Sequence, residues 1–162
     1  MTDEEFSQRI TDMTRTLYRV CYALLRQDYD REDAVQEALR KAWQKRRQLR
    51  DESCLQTWVV RILINECHAI GRRSRRLQPQ ETLPECAAPP QPMDGTPLHD
   101  ALLELDEKYR IPIILHYMEG HSVQDVAAML RIPQGTVKTR LKKGREELRK
   151  LLNERKREDH AS

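Results

Sequence analysis

His121-Ser-Val-Gln-Asp-Val-Ala-Ala-Met-Leu-Arg-Ile-Pro-Gln-Gly-Thr-Val-Lys-Thr-Arg-Leu-Lys-Lys-Gly-Arg145 is the stretch whose reading decides the fold. Ser122 is a helix N-cap residue, and Asp125 three positions on favours a helix start. Ala127 and Leu130 mark an apolar face. Ile132-Pro133 ends that helix, because the residue before a proline is pushed out of the α region. A second helix starts at Pro133 or Gln134, with Val137, Leu141, Leu148 and Leu151 recurring at helical spacing. Gly144 lies on the same stripe and permits close approach of another helix. Thr136, Thr139, Lys142 and Lys143 point the other way. A short helix, a tight turn and a second helix with Thr and Lys outward predict a helix-turn-helix whose second helix suits the major groove of DNA. The plain alternative is a helical hairpin with a solvated basic face.

The rest of the 162-residue chain bounds the possibilities. A hydrophobic fraction of 38%, a charged fraction of 34% and one phenylalanine support modest helical cores rather than a large enzyme core around a deep pocket. Net charge is only +3, but it is clustered: residues 138–162 carry ten Lys/Arg against five Asp/Glu, and residues 61–76 carry five Arg against one Glu. Such patches suggest a polyanionic partner, although solvated helix faces are the commoner explanation of any single patch. Cys21, Cys54, Cys67 and Cys86 lack metal-site spacing, so neither a metal nor another cofactor is expected. The acidic start, Met1-Thr-Asp-Glu-Glu5, has no signal-peptide core, and no run approaches the length of a membrane span. A cytoplasmic protein with reduced thiols and no stable membrane insertion is expected.

Upstream, Phe6, Ile10, Met13, Leu17, Val20, Cys21 and Leu24 predict one long amphipathic helix over 4–27. Asp30 is the expected cap of the next, which presents Ala34, Val35, Ala38, Leu39, Ala42 and Trp43 on one side. That helix is acidic at its start and basic at its end, as the helix dipole favours. A polar loop over 50–56 then leads to Thr57, an expected N-cap, and to a mostly apolar helix over about 57–71. On that helix Trp58, Arg61, Asn65, His68 and Arg72 share one arc. An aromatic, an amide and cations suit stacking on and hydrogen bonding to an unpaired base. Trp58 alone is more often a boundary core residue. Glu66 falls within the apolar arc and is expected to find a basic partner or to lie at an edge.

Residues 77–97 hold six prolines and no Lys or Arg, the composition of a linker. The expected architecture is therefore all-α: a helical bundle over 1–76, a Pro-rich linker over 77–97, and a second helical domain over 98–162 that ends in the helix-turn-helix. In that second domain Leu98, Ala101, Leu102 and Leu105 form one helix face. A helix over 111–118 is expected next, with Pro112 near its start and Gly120 at its end.

In this order, three stretches resemble bacterial sigma factors of the extracytoplasmic-function (ECF) group over about Leu17–Leu152. Asp30-Arg-Glu-Asp-Ala-Val-Gln-Glu-Ala-Leu-Arg-Lys-Ala-Trp43 resembles the family's helix that binds the clamp of the RNA polymerase beta-prime subunit. The resemblance assigns core binding to Asp33, Gln36, Glu37 and Arg40. Thr57-Trp-Val-Val-Arg-Ile-Leu-Ile-Asn-Glu-Cys67 and the following arginines resemble the helix that engages the −10 promoter element, which assigns that role to Trp58, Arg61, Asn65, His68, Arg72 and Arg73. Pro133-Gln-Gly-Thr-Val-Lys-Thr-Arg-Leu-Lys-Lys-Gly-Arg145 resembles the −35 recognition helix, which assigns Gln134, Thr136, Lys138, Thr139, Arg140, Lys142 and Lys143. The resemblance implies a non-enzymatic initiation factor in two regions, 2 and 4, whose partners are the beta-prime and beta subunits of core polymerase, promoter DNA and an anti-sigma factor.

The chain departs from the family pattern in places. The family usually has Gly where this chain has Arg131. A left-handed Arg131 would carry strain of roughly 1–2 kcal/mol, and the alternative is a slightly remodelled turn. Ala69 stands where the family often has Asp, and the base-capturing loop, around Arg50–Gln56, varies too widely to carry a base contact over. Two rival functions are poorer matches. A stand-alone helix-turn-helix regulator wants a dimerisation surface and a ligand or phosphoacceptor domain. A recombinase wants a supported nucleophile, and Ser53 and Ser74 beside basic residues come without one.

Overall fold

The structure is a computed structural model and describes residues 1–76 and 96–161, so most of the expected linker lies outside the described residues. The chain divides into two compact units, Met1–Ala88 and Pro89–Ser162. All regular structure among the described residues is helical.

The first unit holds α1 (Asp3–Asp12), α2 (Thr14–Leu24), α3 (Asp28–Gln44) and α4 (Leu55–Arg76), with single 3-10 turns at Arg46–Gln48 and Glu52–Cys54. The one long helix expected over 4–27 is two helices. At Met13 the amide bonds back only three residues, to the Ile10 carbonyl (3.2 Å). Two residues earlier Thr11 Oγ1 bonds the Ser7 carbonyl (2.8 Å), a back-bond that bends helices. The break lets Phe6 pack against Trp43 and Trp58, while Leu17, Val20 and Cys21 enter the main core. That core is completed by Ala34, Val35, Ala38 and Ala42 of α3 and Val59, Val60, Leu63 and Ile64 of α4. The small residues on α3 let α4 lie close against it. Cys21 and Cys67, which sequence spacing does not pair, meet there with their sulfurs 3.7 Å apart.

Two expected caps are corrected. The third helix starts at Asp28, not at Asp30, and its N-cap Gln27 contributes no side-chain bond. Arg31 holds this start instead. Its Nη1 bonds Asp28 (2.8 Å), its Nε bonds the Leu25 carbonyl (2.9 Å), and its guanidinium lies 3.8 Å from the Tyr22 ring centre. Nor does Thr57 cap α4, which is already helical from Leu55. The capping carboxylate is Asp51, which accepts from the Ser53 amide (3.0 Å) and organises the 3-10 turn before the helix. Glu66 is buried and ion-paired with Lys41 of α3, as its place in the apolar arc requires.

The second unit holds α5 (Pro97–Glu104), α6 (Glu107–Ile113), α7 (Val123–Leu130) and α8 (Gln134–Ala161). Thr96 caps α5 through the His99 amide (3.1 Å), with Pro97 at the first helical position. The helix expected over 111–118 starts earlier, at Glu107, because Asp106 caps it through the Lys108 amide (3.1 Å). Pro112 therefore lies inside the helix rather than near its start. The chain runs on as a π turn, Ile114–Met118, closed by Glu119 N to Ile114 O (3.0 Å), and Gly120 leaves it at φ 74°.

The helix-turn-helix forms as expected. Ser122 Oγ accepts from the Asp125 amide (3.0 Å), and Arg131 takes the left-handed conformation at φ 57°, ψ 45°. Val137 and Leu141 are buried. Relieving Arg131 is expected to stabilise this unit: Arg131→Gly should add about 1 kcal/mol, read as a higher melting temperature for α7 and α8. Close approach at Gly144 also holds. A Cβ there would stand 2.6 Å from Ile113 Cδ1 and 3.2 Å from Tyr109 Cβ. Gly144→Val should therefore cost about 2–3 kcal/mol through overpacking. Hydrogen exchange of α6 and α8 in the full chain should show this as lost protection.

Candidate nucleic-acid interface

In the first unit two side-chain sets lie on α3 and α4. Burial of Ala34, Val35, Ala38 and Ala42 leaves Asp33, Gln36 and Arg40 exposed and Glu37 half-buried. Arg40 pairs with Glu37, which holds that carboxyl below its usual range, and Gln36 Nε2 donates to Glu32 (3.3 Å). Asp30 is pushed the other way, first by partial burial and then by the charge of Asp33. The free chain thus carries an acidic face that is only partly neutralised from within.

On α4 the expected arc separates by depth. Trp58 and Arg61 are half-buried, whereas Asn65, His68, Arg72 and Arg73 are exposed. One edge of Trp58 is taken by Phe6, with ring centres 6.4 Å apart, so the core reading of this tryptophan holds for part of its surface. Arg73 bears on Asp30 and Glu37 electrostatically, so the cationic end of α4 lies beside the acidic start of α3. The two sets adjoin on one rigid pair of helices.

Sequence reasoning missed what holds the loop before α4. Asp3 of α1 accepts two bonds from Arg46 (2.8 and 3.1 Å), and Arg46 stacks on Trp43 at 4.1 Å. Arg9 donates to the Glu52 carbonyl (3.2 Å). The Asp3–Arg46 and Arg9–Glu52 ties cross more than forty residues, and no local pattern announces them. Within the loop, Ser53 donates to Asp51 through both amide and hydroxyl, which lowers the Asp51 pKa.

In the second unit the expected α8 residues line its outward side. Gln134, Lys138, Thr139, Lys142 and Lys143 are exposed, and Thr136 and Arg140 are half-buried. The Thr139 hydroxyl donates to the Gly135 carbonyl (3.0 Å), which leaves its oxygen as an acceptor and its methyl free for apolar contact. A helix with this face and depth can enter a major groove, its lysines fixing position on phosphates and its first turns reaching base edges.

Known proteins share both halves. A family model described as Sigma-70 region 2 matches residues 10–77, and one described as Sigma-70, region 4 matches residues 96–148. The ECF RNA polymerase sigma factor SigW of Bacillus subtilis (strain 168) is 29% identical, covering 94% of this chain and 91% of the relative. The sigma factor RpoE from Bartonella quintana, solved with the anti-sigma factor NepR, is 30% identical with a TM-score of 0.78, covering 93% of this chain and 98% of that one. The chain belongs to the ECF group of sigma factors. It is an RNA polymerase sigma factor acting in transcription initiation. The region 2 match begins near the end of α1, and the region 4 match runs from Thr96 to Leu148 within α8. The ECF RNA polymerase sigma factor SigM of Mycobacterium tuberculosis (strain ATCC 25618 / H37Rv) is 28% identical over 91% of this chain and 76% of the relative. CnrH, solved with the cytosolic domain of CnrY, shares the fold at 20% identity and a TM-score of 0.68.

Proposed function

We propose that this sigma factor divides its work as follows. Asp33, Gln36, Glu37 and Arg40 dock on the beta-prime subunit of core polymerase. Trp58, Arg61, Asn65, His68, Arg72 and Arg73 hold the opened −10 strand. Gln134, Thr136, Lys138, Thr139, Arg140, Lys142 and Lys143 engage the −35 duplex, while region 4 meets the beta subunit. In this reading residues 77–97 are the linker between the regions. The observation that best supports it is the adjacency, on α3 and α4, of an exposed acidic face and an exposed stripe of amide, imidazole and guanidinium groups. Core binding on one helix then delivers the neighbouring helix to the strand that opens.

No step here is chemical catalysis by the chain. Opening promoter DNA costs about 1.4 kcal/mol per stacked step, and capture of each unpaired base returns roughly 1–3 kcal/mol. Polymerase supplies the rest. RpoE is solved with an anti-sigma factor, which supports an anti-sigma partner for this chain too, clamping the apolar faces of both regions. No helix among the described residues is long and apolar enough to cross a membrane, in keeping with action in the cytoplasm. Gel filtration with purified core polymerase tests the proposal. Co-elution supports it, and elution of the chain apart from core at micromolar concentration contradicts it.

A further inference from the structure

Beside the recognition helix lies a groove of about 510 Å³, and the −35 assignment accounts for only one of its walls. Its far wall comes from α6, not from α8. Lys108 and Tyr109 face Thr136, Thr139, Arg140 and Lys143 across it. The wall is near because residue 144 is glycine: Tyr109 Cβ stands only 3.2 Å from where a Cβ would be, so α6 packs directly on α8. The lining holds three cations and no carboxylate. Among the described residues, no ion pair engages Lys108, Arg140 or Lys143. Lys108 instead rests over its neighbour, with Nζ 5.0 Å from the Tyr109 ring centre. Tyr109 supplies a phenol hydroxyl, a neutral donor.

Three cationic side chains lining one groove, beside a tyrosine and with no acid, fit a phosphodiester. We propose that Lys108 and Tyr109 complete, with Arg140 and Lys143, a cradle for one DNA backbone phosphate flanking the groove that α8 reads. The proposal rests on the −35 role of α8 and adds a contact from a separate helix. That contact fixes the angle at which α8 enters the groove, because two points on different helices resist rotation that one helix permits. Lys108 positions and does not read: it sees a phosphate, not a base edge. Thr139, whose proton is already spent on the Gly135 carbonyl, is a poor phosphate donor and stays available to a base.

The test uses the full chain with core polymerase on a duplex promoter selected from a random library. Lys108→Ala is expected to weaken promoter binding about three- to tenfold and to reduce the slope of log affinity against log salt by about one, with sequence preference within the −35 element unchanged. Lys156→Ala, an equal charge loss on the exposed far part of α8, should leave the slope as it is. Phosphates along the −35 element are then replaced one at a time by neutral methylphosphonate. At one position the replacement should weaken wild-type binding clearly more than it weakens Lys108→Ala, whose Arg140 and Lys143 remain, a coupling that folding defects do not produce. Free inorganic phosphate in place of DNA should shift the Lys108 and Tyr109 resonances only at millimolar concentration. If every methylphosphonate affects both proteins alike, or if Lys108→Ala changes affinity for core and not the salt slope, the cradle is wrong. If wild-type holoenzyme shows no −35 dependence at all, the fault lies with the assignment of α8 itself.

Discussion

Asp33→Arg combined with Glu37→Arg is expected to abolish binding to core polymerase, with a loss of roughly 100-fold or more, since truncating or reversing charges at a desolvated interface costs about 2–5 kcal/mol. The fold should survive. Both residues lie away from the buried face made by Ala34, Val35, Ala38 and Ala42. The internal cost is small, because the Glu37 pairs that are lost, to Arg40 and at 4.0 Å to Lys41, join side chains that all remain in contact with water. Asp33 is exposed, so Asp33→Arg alone gives the same test without disturbing that pair. The helical circular dichroism signal should be unchanged while titration with core shows no saturable complex. Wild-type affinity in the double variant would remove α3 from the polymerase interface.

A second large effect is expected at strand opening. Asn65 is exposed on α4 between Arg61 and His68, one turn from each, and none of the main core depends on it. Asn65→Ala should slow open-complex formation by roughly tenfold or more, the worth of one base contact of about 1–3 kcal/mol. Closed-complex affinity should change little. A template with the −10 region premelted should recover most of the loss, because melting no longer has to be driven by base capture. Permanganate reactivity of unpaired thymines reports the open state. Absence of rescue on the premelted template would mean that Asn65 serves initial docking or folding.

The helix-turn-helix and the α3/α4 pair were legible in the sequence because their signals are local. Ser122, Pro133 and the Val137/Leu141 spacing each act within a turn or two, and the structure bears them out. Glu66 was legible for a similar reason: a carboxylate on an apolar arc has to be paired, and Lys41 pairs it. The misreadings share another cause. Helix starts at Asp28, Leu55 and Glu107 are set by short-range groups that apolar spacing alone does not reveal: Arg31 reaching back to the Leu25 carbonyl, Asp51 capping a 3-10 turn, and Asp106 capping α6 ahead of the proline. The break at Met13 lets Phe6 pack on tryptophans 37 and 52 residues away. No window of a dozen residues contains that information. The same holds for Lys108, whose place beside Arg140 and Lys143 depends on how α6 packs against α8.

The central claim is that this chain recognises a promoter only as part of polymerase. One helix-turn-helix buries little surface, and tight operator binding by such a motif usually recruits a second copy. Two modest sites held on one platform bind together far more tightly than either does alone. The deciding measurement is affinity of the purified chain for a two-part promoter duplex, with and without core polymerase, across a salt series. The account predicts weak, steeply salt-dependent and nearly sequence-independent binding by the chain alone, and tight binding that needs both promoter elements once core is added. Nanomolar, sequence-specific binding by the chain alone, as a dimer on a palindrome, would contradict it.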